Sequence, residues 1–261
     1  SKIDIGLLSA DLSSRKHLSG GIYGWSNHAF GNKASLIAVW LQWINTLIWY
    51  PTILSFMAGT LSYMINPSLA QKPWFLIAVM LVIFWMMTWI NLKGLKQSTR
   101  FASIFTGLGL LIPTALLIGL GIYWFASGHH SFIHFTTHNT VPSLQHGTSW
   151  VSLTAILTSF LGLELATVHV KYIKKAQSIF PMSFGYAMLI IGATMLIGSL
   201  TVAMIIPAHK ISLVTGIMQS FNILLQHTPL RFLIIIIPLF IVLGNLASMV
   251  NWMISPTKGL L

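Results

Sequence analysis

Residues 73–92 read PWFLIAVMLVIFWMMTWINL, twenty positions without a single Asp, Glu, Lys or Arg, framed by Lys72 and Lys93. An α-helix rises about 1.5 Å per residue, so roughly 20 apolar residues cross the ~30 Å hydrocarbon core of a bilayer. A barrel strand would alternate apolar and polar positions, and this stretch does not. It reads as a membrane-spanning helix. Working outward, the same reading recurs. Residues 34–71, 176–209 and 232–257 carry no charged side chain, and 101–170 carry only Glu164. Over all 261 residues, 55% are hydrophobic and 7% charged, with a mean hydropathy of +0.81. Soluble domains carry about 25% charge, so soluble, disordered and collagen-like classes are excluded. The net charge of +11 does not indicate nucleic acid, because the 14 Lys and Arg sit in small clusters between long uncharged runs. The implied partner is the lipid bilayer, and the fold class is all-α integral membrane. Without cysteine, disulfides are excluded.

Six complete spans are expected, at 34–65, 73–92, 101–126, 149–170, 182–207 and 232–255. Asn66-Pro67, Lys72-Pro73, Pro181, Pro207 and Pro229 punctuate them. Residues 1–13 are apolar but too short to span. They read as the end of a preceding helix, and the chain as an internal fragment in one transmembrane domain. With an even number of spans, both ends share a side. Arg15, Lys16, Lys33, Lys93, Lys96, Arg100, Lys171, Lys174, Lys175 and Lys258 fall on one face, and Lys72, Lys210 and Arg231 on the other. The positive-inside rule then places both ends in the cytoplasm, in a cytoplasmic (inner) membrane. Segment 208–231 is expected to form an extracytoplasmic lid with Ile211, Leu213, Ile217, Phe221 and Leu224 as its apolar members.

Glu164 is the only carboxylate after Asp11 and is expected near mid-depth of span 149–170. A carboxylate at the bilayer centre costs about 2.5–3.5 kcal/mol on insertion scales, so such residues tend to mark substrate, ion or proton pathways. A carboxyl there is suited to taking up and releasing a proton. The alternative is a structural carboxyl paired with a hydroxyl or imidazole on a neighbouring helix. Gly162, two residues before it, weakens the helix, and an unwound segment would offer backbone N–H and C=O groups to a ligand.

Several runs resemble a known family. Gly20-Gly21-Ile22-Tyr23-Gly24-Trp25, after Ser9-Ala10-Asp11-Leu12, is similar to the GG-I/V-Y/F-x-W signature of amino-acid permeases. Phe160-Leu161-Gly162-Leu163-Glu164, continuing to Thr167-Val168-His169 and Phe180-Pro181, resembles the sixth helix and following loop of that superfamily. Ala203 to Pro207, Ile211-Ser212-Leu213 and Gly216 to Phe221 resemble the glutamate/GABA antiporter branch, and Trp252 to Gly259 resembles the close of its eighth helix. The loop after the sixth helix departs from the family, reading Lys174-Lys175-Ala176-Gln177 where Asn-Pro is frequent.

The resemblance implies an inverted-repeat transporter fold of the amino-acid permease superfamily, in which the six spans are helices 3 to 8. It implies a secondary active amino-acid transporter, an antiporter exchanging glutamate-like or GABA-like substrates with proton linkage, and no cofactor. It also implies that Phe160, Gly162, Leu163 and Glu164 hold substrate at the broken sixth helix, with Glu164 coupling protons. The third helix would supply Asn45, Trp49 and Tyr50 as walls, and the eighth Asn245, Ser248 and Trp252. Aromatics in membrane helices are more often packing or interface residues, which weighs against the three aromatic walls.

Other readings compete. His129, His130, His134 and His138 have spacings that could gather metal ligands, which would make the protein a membrane metalloenzyme. Against it, Gly128–Gly147 contains no Asp, Glu or Cys, and a solvated loop explains the histidines equally. A passive channel would show charge rings or filter repeats, and neither is present. A uniporter or symporter of another amino acid also fits the same helices.

Overall fold

The structure, a computed structural model, describes residues 21–92, 98–133, 150, 154, 176–226 and 228–258. All regular structure among the described residues is helical. Helix α1 (Gly21–Phe30) is separated from α2 (Asn32–Ile65) by Gly31 alone. Gly31 has φ 82°, a left-handed conformation natural to glycine, and its N–H donates to Asn27 O at 3.0 Å. The Tyr23 hydroxyl donates to Asn32 Oδ1 across the break. Asn66 then caps a 3-10 turn, Pro67–Gln71, by accepting from Ser68 N at 3.0 Å. Helix α3 (Pro73–Leu92) starts on a proline, whose missing N–H costs nothing at that position.

Helix α4 (Ser98–Ala126) closes with Gly128 at φ 75°. Gly128 N–H donates to Phe125 O and His129 N–H to Trp124 O, the paired bonds that satisfy the last carbonyls of a helix. Helix α5 (Ala176–Ile205) leads through a 3-10 turn, Ala208–Lys210, to α6 (Gly216–Leu225). A second turn, Pro229–Phe232, opens α7 (Leu233–Lys258). Hydroxyls inside the helices bond back to their own carbonyls, as Thr88 Oγ1 does to Phe84 O, Thr114 to Leu110 and Thr201 to Ile197. In hydrocarbon that is the local way to satisfy them.

Four stretches are long and apolar enough to cross a membrane: Pro73–Ile90, Ile104–Ala126, Gly185–Ile205 and Pro229–Met249. They fall on the expected stretches 73–92, 101–126, 182–207 and 232–255. The expected span 34–65 lies inside α2, whose 34 residues extend about 51 Å. That helix is not among the four, because Gln42, Asn45, Thr46, Thr52, Ser55, Thr60 and Ser62 dilute its apolar character. Of 149–170 only Trp150 and Thr154 are described, and residues 1–13 lie outside the described residues. Among the four, Pro229–Met249 is 39% buried and Pro73–Ile90 is 11%, so α7 is more enclosed than α3 among the described residues.

The chain divides into two compact units. The first comprises 1–45, 134–193 and 254–261. In its described part, Ser35 and Val39 of α2 are buried, and the Ser35 hydroxyl donates to Asn32 O. The second comprises 46–133 and 194–253 and holds two apolar clusters. One gathers Leu117 of α4, Ile205 and Ile206 at the end of α5, Met218, Phe221, Leu224 and Leu225 of α6, and Ile237 and Ile241 of α7. The other gathers Leu54 and Met57 of α2, Ile83 and Met87 of α3, and Val242 and Met249 of α7.

Within the second unit, α4 and α7 cross backbone to backbone. A Cβ added at Gly109 would sit 2.5 Å from Gly244 Cα, and one at Gly244 would sit 2.7 Å from Gly109 Cα. The Gly109 position also faces Phe240 O, and Gly244 faces Phe105 O. Small residues let membrane helices approach this closely.

Candidate substrate site

Helix α7 carries two apolar faces. Val242, Leu246 and Met249, spaced four and three apart, belong to the cluster with α2 and α3. Ile234, Ile237 and Ile241 form the other stripe, packed on the cluster around α6. Asn245, Ser248 and Trp252 continue that second stripe along the helix, at the same three- and four-residue spacing. Asn245 is half-buried and its side-chain amide donates to Ile241 O at 2.7 Å, so one of its donors is taken by its own helix. Ser248 is half-buried; Trp252 lies in α7, with its side chain outside the described residues.

Helix α2 is organised similarly. Trp49 and Tyr50 are half-buried and meet edge to face, ring centroids 5.6 Å apart. Both pack on the cluster of Leu54, Met57, Ile83, Met87, Val242 and Met249. Tyr50 falls in the middle of that face, together with Leu54 and Met57 at four and seven residues. Trp49 stands at its margin. Asn45 is exposed and precedes Phe56 and Tyr63 by eleven and eighteen residues, which puts it on the α2 stripe that carries the α6 cluster. Pro51 interrupts the ladder next to Tyr50, and Thr52 Oγ1 bonds to Ile48 O beside it. The candidate positions Phe160, Gly162, Leu163 and Glu164 lie outside the described residues.

Of the candidate walls, Asn245, Ser248 and Trp252 continue the α7 stripe that meets α6, whereas Trp49 and Tyr50 belong to the cluster shared by α2, α3 and α7. At the α6 end, the walls are filled. Phe221, Met218 and Leu225 are each fully buried. Of the five apolar members expected in 208–231, Phe221 and Leu224 are buried, Ile211 is half-buried, Ile217 is 37% exposed and Leu213 is fully exposed. The heptad-like spacing of Met218, Phe221 and Leu225 is the signal that distinguishes the buried face.

The approach to α6 is fixed by polar contacts that the sequence did not single out. Gln219 Oε1 accepts from Ser212 N at 2.9 Å and its Nε2 donates to Lys210 O at 3.5 Å. The Ser212 hydroxyl accepts from Val214 N and Thr215 N. The side chains of Tyr63 and Thr215 hydrogen-bond. Gly59 makes room for them, since a Cβ there would lie 2.7 Å from Val214 Cγ1 and 2.8 Å from Thr215 Cγ2. The Thr60 hydroxyl, fully buried between Phe56 and Tyr63 in sequence, has no hydrogen-bond partner among the described residues.

The histidine loop enters the described residues only at its start. The His129 ring stacks on Trp124 at 4.1 Å, and His130 lies 5.4 Å from Phe132. Among the described residues no three His, Cys, Asp or Glu side chains group to hold a metal. His134 and His138 lie outside the described residues. The described residues contain no carboxylate at all.

Comparison with known proteins fits this arrangement. A family model described as amino acid permease matches residues 3–261. An uncharacterised transporter of Legionella pneumophila is 33% identical over 99% of this chain and 56% of its own length. A glutamate/gamma-aminobutyrate antiporter of Lactococcus lactis subsp. cremoris is 26% identical over 93% of this chain and 49% of its own. A probable agmatine/putrescine antiporter of Lactococcus lactis subsp. lactis is 25% identical over 95% and 52%. The chain spans about half the length of these relatives.

Proposed function

The chain belongs to the amino acid permease family, and from that premise we propose that the protein carrying it is a secondary active amino-acid antiporter of the glutamate/GABA exchange type, with proton-linked activity. Membership in a family of permeases, together with four membrane-length apolar helices, makes it a multi-pass membrane transport protein and not an enzyme. The observation that supports the finer reading is the match, over 93% of the chain, to a protein named as a glutamate/gamma-aminobutyrate antiporter. Its single carboxylate within the spans, Glu164, supports proton linkage.

In this reading the substrate sits near mid-membrane. Gly162, Leu163 and Glu164 meet its charged ends, and Phe160 lies beside them. Asn45, Trp49, Asn245, Ser248 and Trp252 form the walls, with Tyr50 packed behind Trp49. Transport proceeds by rocking of helices around that fixed site. The membrane is the cytoplasmic one, with the face rich in Lys and Arg inside.

Counterflow tests the reading. The full reading frame is reconstituted in liposomes loaded with glutamate or GABA, and labelled glutamate is supplied outside at acidic and neutral pH. Exchange favoured by acid is the expected result. Glu164→Gln should abolish exchange or flatten its pH dependence while the protein remains folded by size-exclusion profile. Unchanged pH dependence in that variant refutes the proton role, and failure of folded wild type to exchange any amino acid refutes the transporter reading.

A further inference from the structure

A threonine inside a membrane helix has a partner at hand in the carbonyl four residues earlier, and in hydrocarbon it has reason to use it. Thr52, Thr88, Thr114, Thr154 and Thr201 all donate in that way. Two threonines break the pattern. The hydroxyls of Thr60 and Thr106 are buried and have no hydrogen-bond partner among the described residues. Thr60 follows Gly59 at the approach to α6, away from the candidate walls. Thr106 lies in α4, one turn before Gly109, the residue that meets Gly244 of α7.

The crossing gives the register of the two helices. Gly109 faces Gly244, and Leu117, two turns further along α4, joins the cluster that holds Ile237, two turns earlier on α7. The helices therefore run antiparallel. One turn in the other direction, Thr106 comes level with residues 247 and 248, one turn past Gly244. Ser248 is the candidate wall residue at that level, and Asn245 stands between it and the crossing. At the crossing itself backbone meets backbone, which leaves no room for a solute between the helices. The first polar side chains beyond it on this side are Asn245 and Ser248 on α7 and Thr106 on α4.

An unpaired buried hydroxyl costs free energy that an apolar group of the same shape would not. Stability alone does not explain keeping one, and groups of this kind recur at working sites. We propose that Thr106 is a further residue of the substrate site, its hydroxyl donating a hydrogen bond to a carboxylate of the bound amino acid. The proposal rests on the transporter reading and deepens it, adding α4 to the helices that line the site. The choice of carboxylate follows from the neighbours. In that reading Glu164 is the acidic partner for the substrate's ammonium group, and the polar side chains near the level of Thr106 are a neutral amide and a hydroxyl, both able to donate.

The test measures exchange of labelled external glutamate against internal GABA by the full reading frame in liposomes, together with melting in detergent. Thr106→Val keeps the shape and removes the hydroxyl. It should raise KM for glutamate by about three- to tenfold, the usual effect of losing one hydrogen bond, with kcat little changed. It should melt at or above the wild-type temperature, because the fold loses no hydrogen bond. Thr106→Ser, which restores the hydroxyl, should return KM to within about twofold of wild type. Thr114→Val on the same helix is the control. Its hydroxyl bonds to Leu110 O, so its loss should lower melting slightly and leave KM alone. An unchanged KM in Thr106→Val, or a rise that Thr106→Ser shares, overturns the site role. A fall in melting temperature larger than that of Thr114→Val also overturns it, because the hydroxyl would then serve the fold. Folded wild type that exchanges no amino acid removes the transporter reading, and this proposal with it.

Discussion

Replacing Gly109 by Ala adds one methyl where α4 and α7 touch. Its carbon would be placed 2.5 Å from Gly244 Cα and 2.7 Å from Gly244 N, against an ordinary carbon contact of about 3.5–4.0 Å. The obstructing atoms are backbone, so no side chain can swing aside, and the two helices must part by about 1 Å. Overpacking of this kind costs about 1–3 kcal/mol. The added methyl at either glycine would also meet a backbone carbonyl of the other helix, Phe240 O from Gly109 and Phe105 O from Gly244. Gly107, two residues earlier on α4, is the internal control, because a Cβ there meets nothing within 4 Å. Both substitutions gain the same helix propensity, roughly 0.5–1 kcal/mol, so the difference between them isolates the clash. With about 2–4 °C per kcal/mol for a chain of this size, Gly109→Ala should melt roughly 2–12 °C below Gly107→Ala. The assay is a heating series in detergent followed by fluorescence-detected size exclusion. Gly244→Ala should behave like Gly109→Ala. The double variant should cost less than the sum, because helices already parted by one methyl accept the second more cheaply. Equal melting of the Gly107 and Gly109 variants, or strict additivity of the pair, would refute the backbone crossing.

Other substitutions probe the remaining parts. Phe221→Ala empties the centre of the α6 cluster and should cost about 3–5 kcal/mol, read as a loss of melting temperature well beyond that of Leu213→Ala, whose side chain is fully exposed. Gln219→Leu removes both bonds that hold residues 210–212 on α6, so proteolysis or hydrogen exchange in 208–215 should accelerate while the rest of the molecule stays protected. Because the chain has no cysteine, single cysteines report sidedness directly. Ser127→Cys should react with an impermeant maleimide from outside intact cells, and Lys33→Cys only after permeabilisation; the reverse pattern would invert the proposed orientation.

The membrane helices were legible because hydrocarbon tolerates so few charges that their limits are written in Lys72, Lys93 and the runs between basic clusters. Glu164 stood out for the same reason. Helix α2 was harder, since its hydroxyls and amides lower its apolarity while its length still spans a bilayer. Its two faces separate only when Tyr50 is placed with Leu54 and Met57, and Asn45 with Phe56 and Tyr63. Tyr50 and Asn45 stand in the same set of candidate walls, yet five positions around a helix put them on different faces. The Gly109–Gly244 crossing was not legible, because glycine is frequent in membrane helices and nothing local pairs two positions 135 residues apart. Segment 208–231 reads as surface for an understandable reason. Ten residues are too few to span, and Gln219 and Asn222 give α6 a polar side, so its depth depends on what α4 and α7 leave open beside it.

That depth bears on how the candidate site is reached. The α7 stripe that carries Asn245, Ser248 and Trp252 is the same stripe that, from Ile241 through Ile237, is covered by Met218, Phe221 and Leu225 of α6. A solute moving along that stripe from the α6 side would have to displace these three fully buried side chains, or α6 itself. Full burial of a Phe, a Met and a Leu is worth about 1.5–3 kcal/mol each, so moving α6 away from α7 would cost several kcal/mol. The two amide bonds of Gln219 and the Tyr63–Thr215 contact lie at its N-terminal side, whereas its C-terminal side continues directly into the turn before α7. Opening by rotation about the Gln219 anchor keeps those bonds and breaks only apolar contacts, which re-form at little directional cost. A helix held by hydrogen bonds at one end and by non-directional packing at the other is suited to swing rather than to unfold.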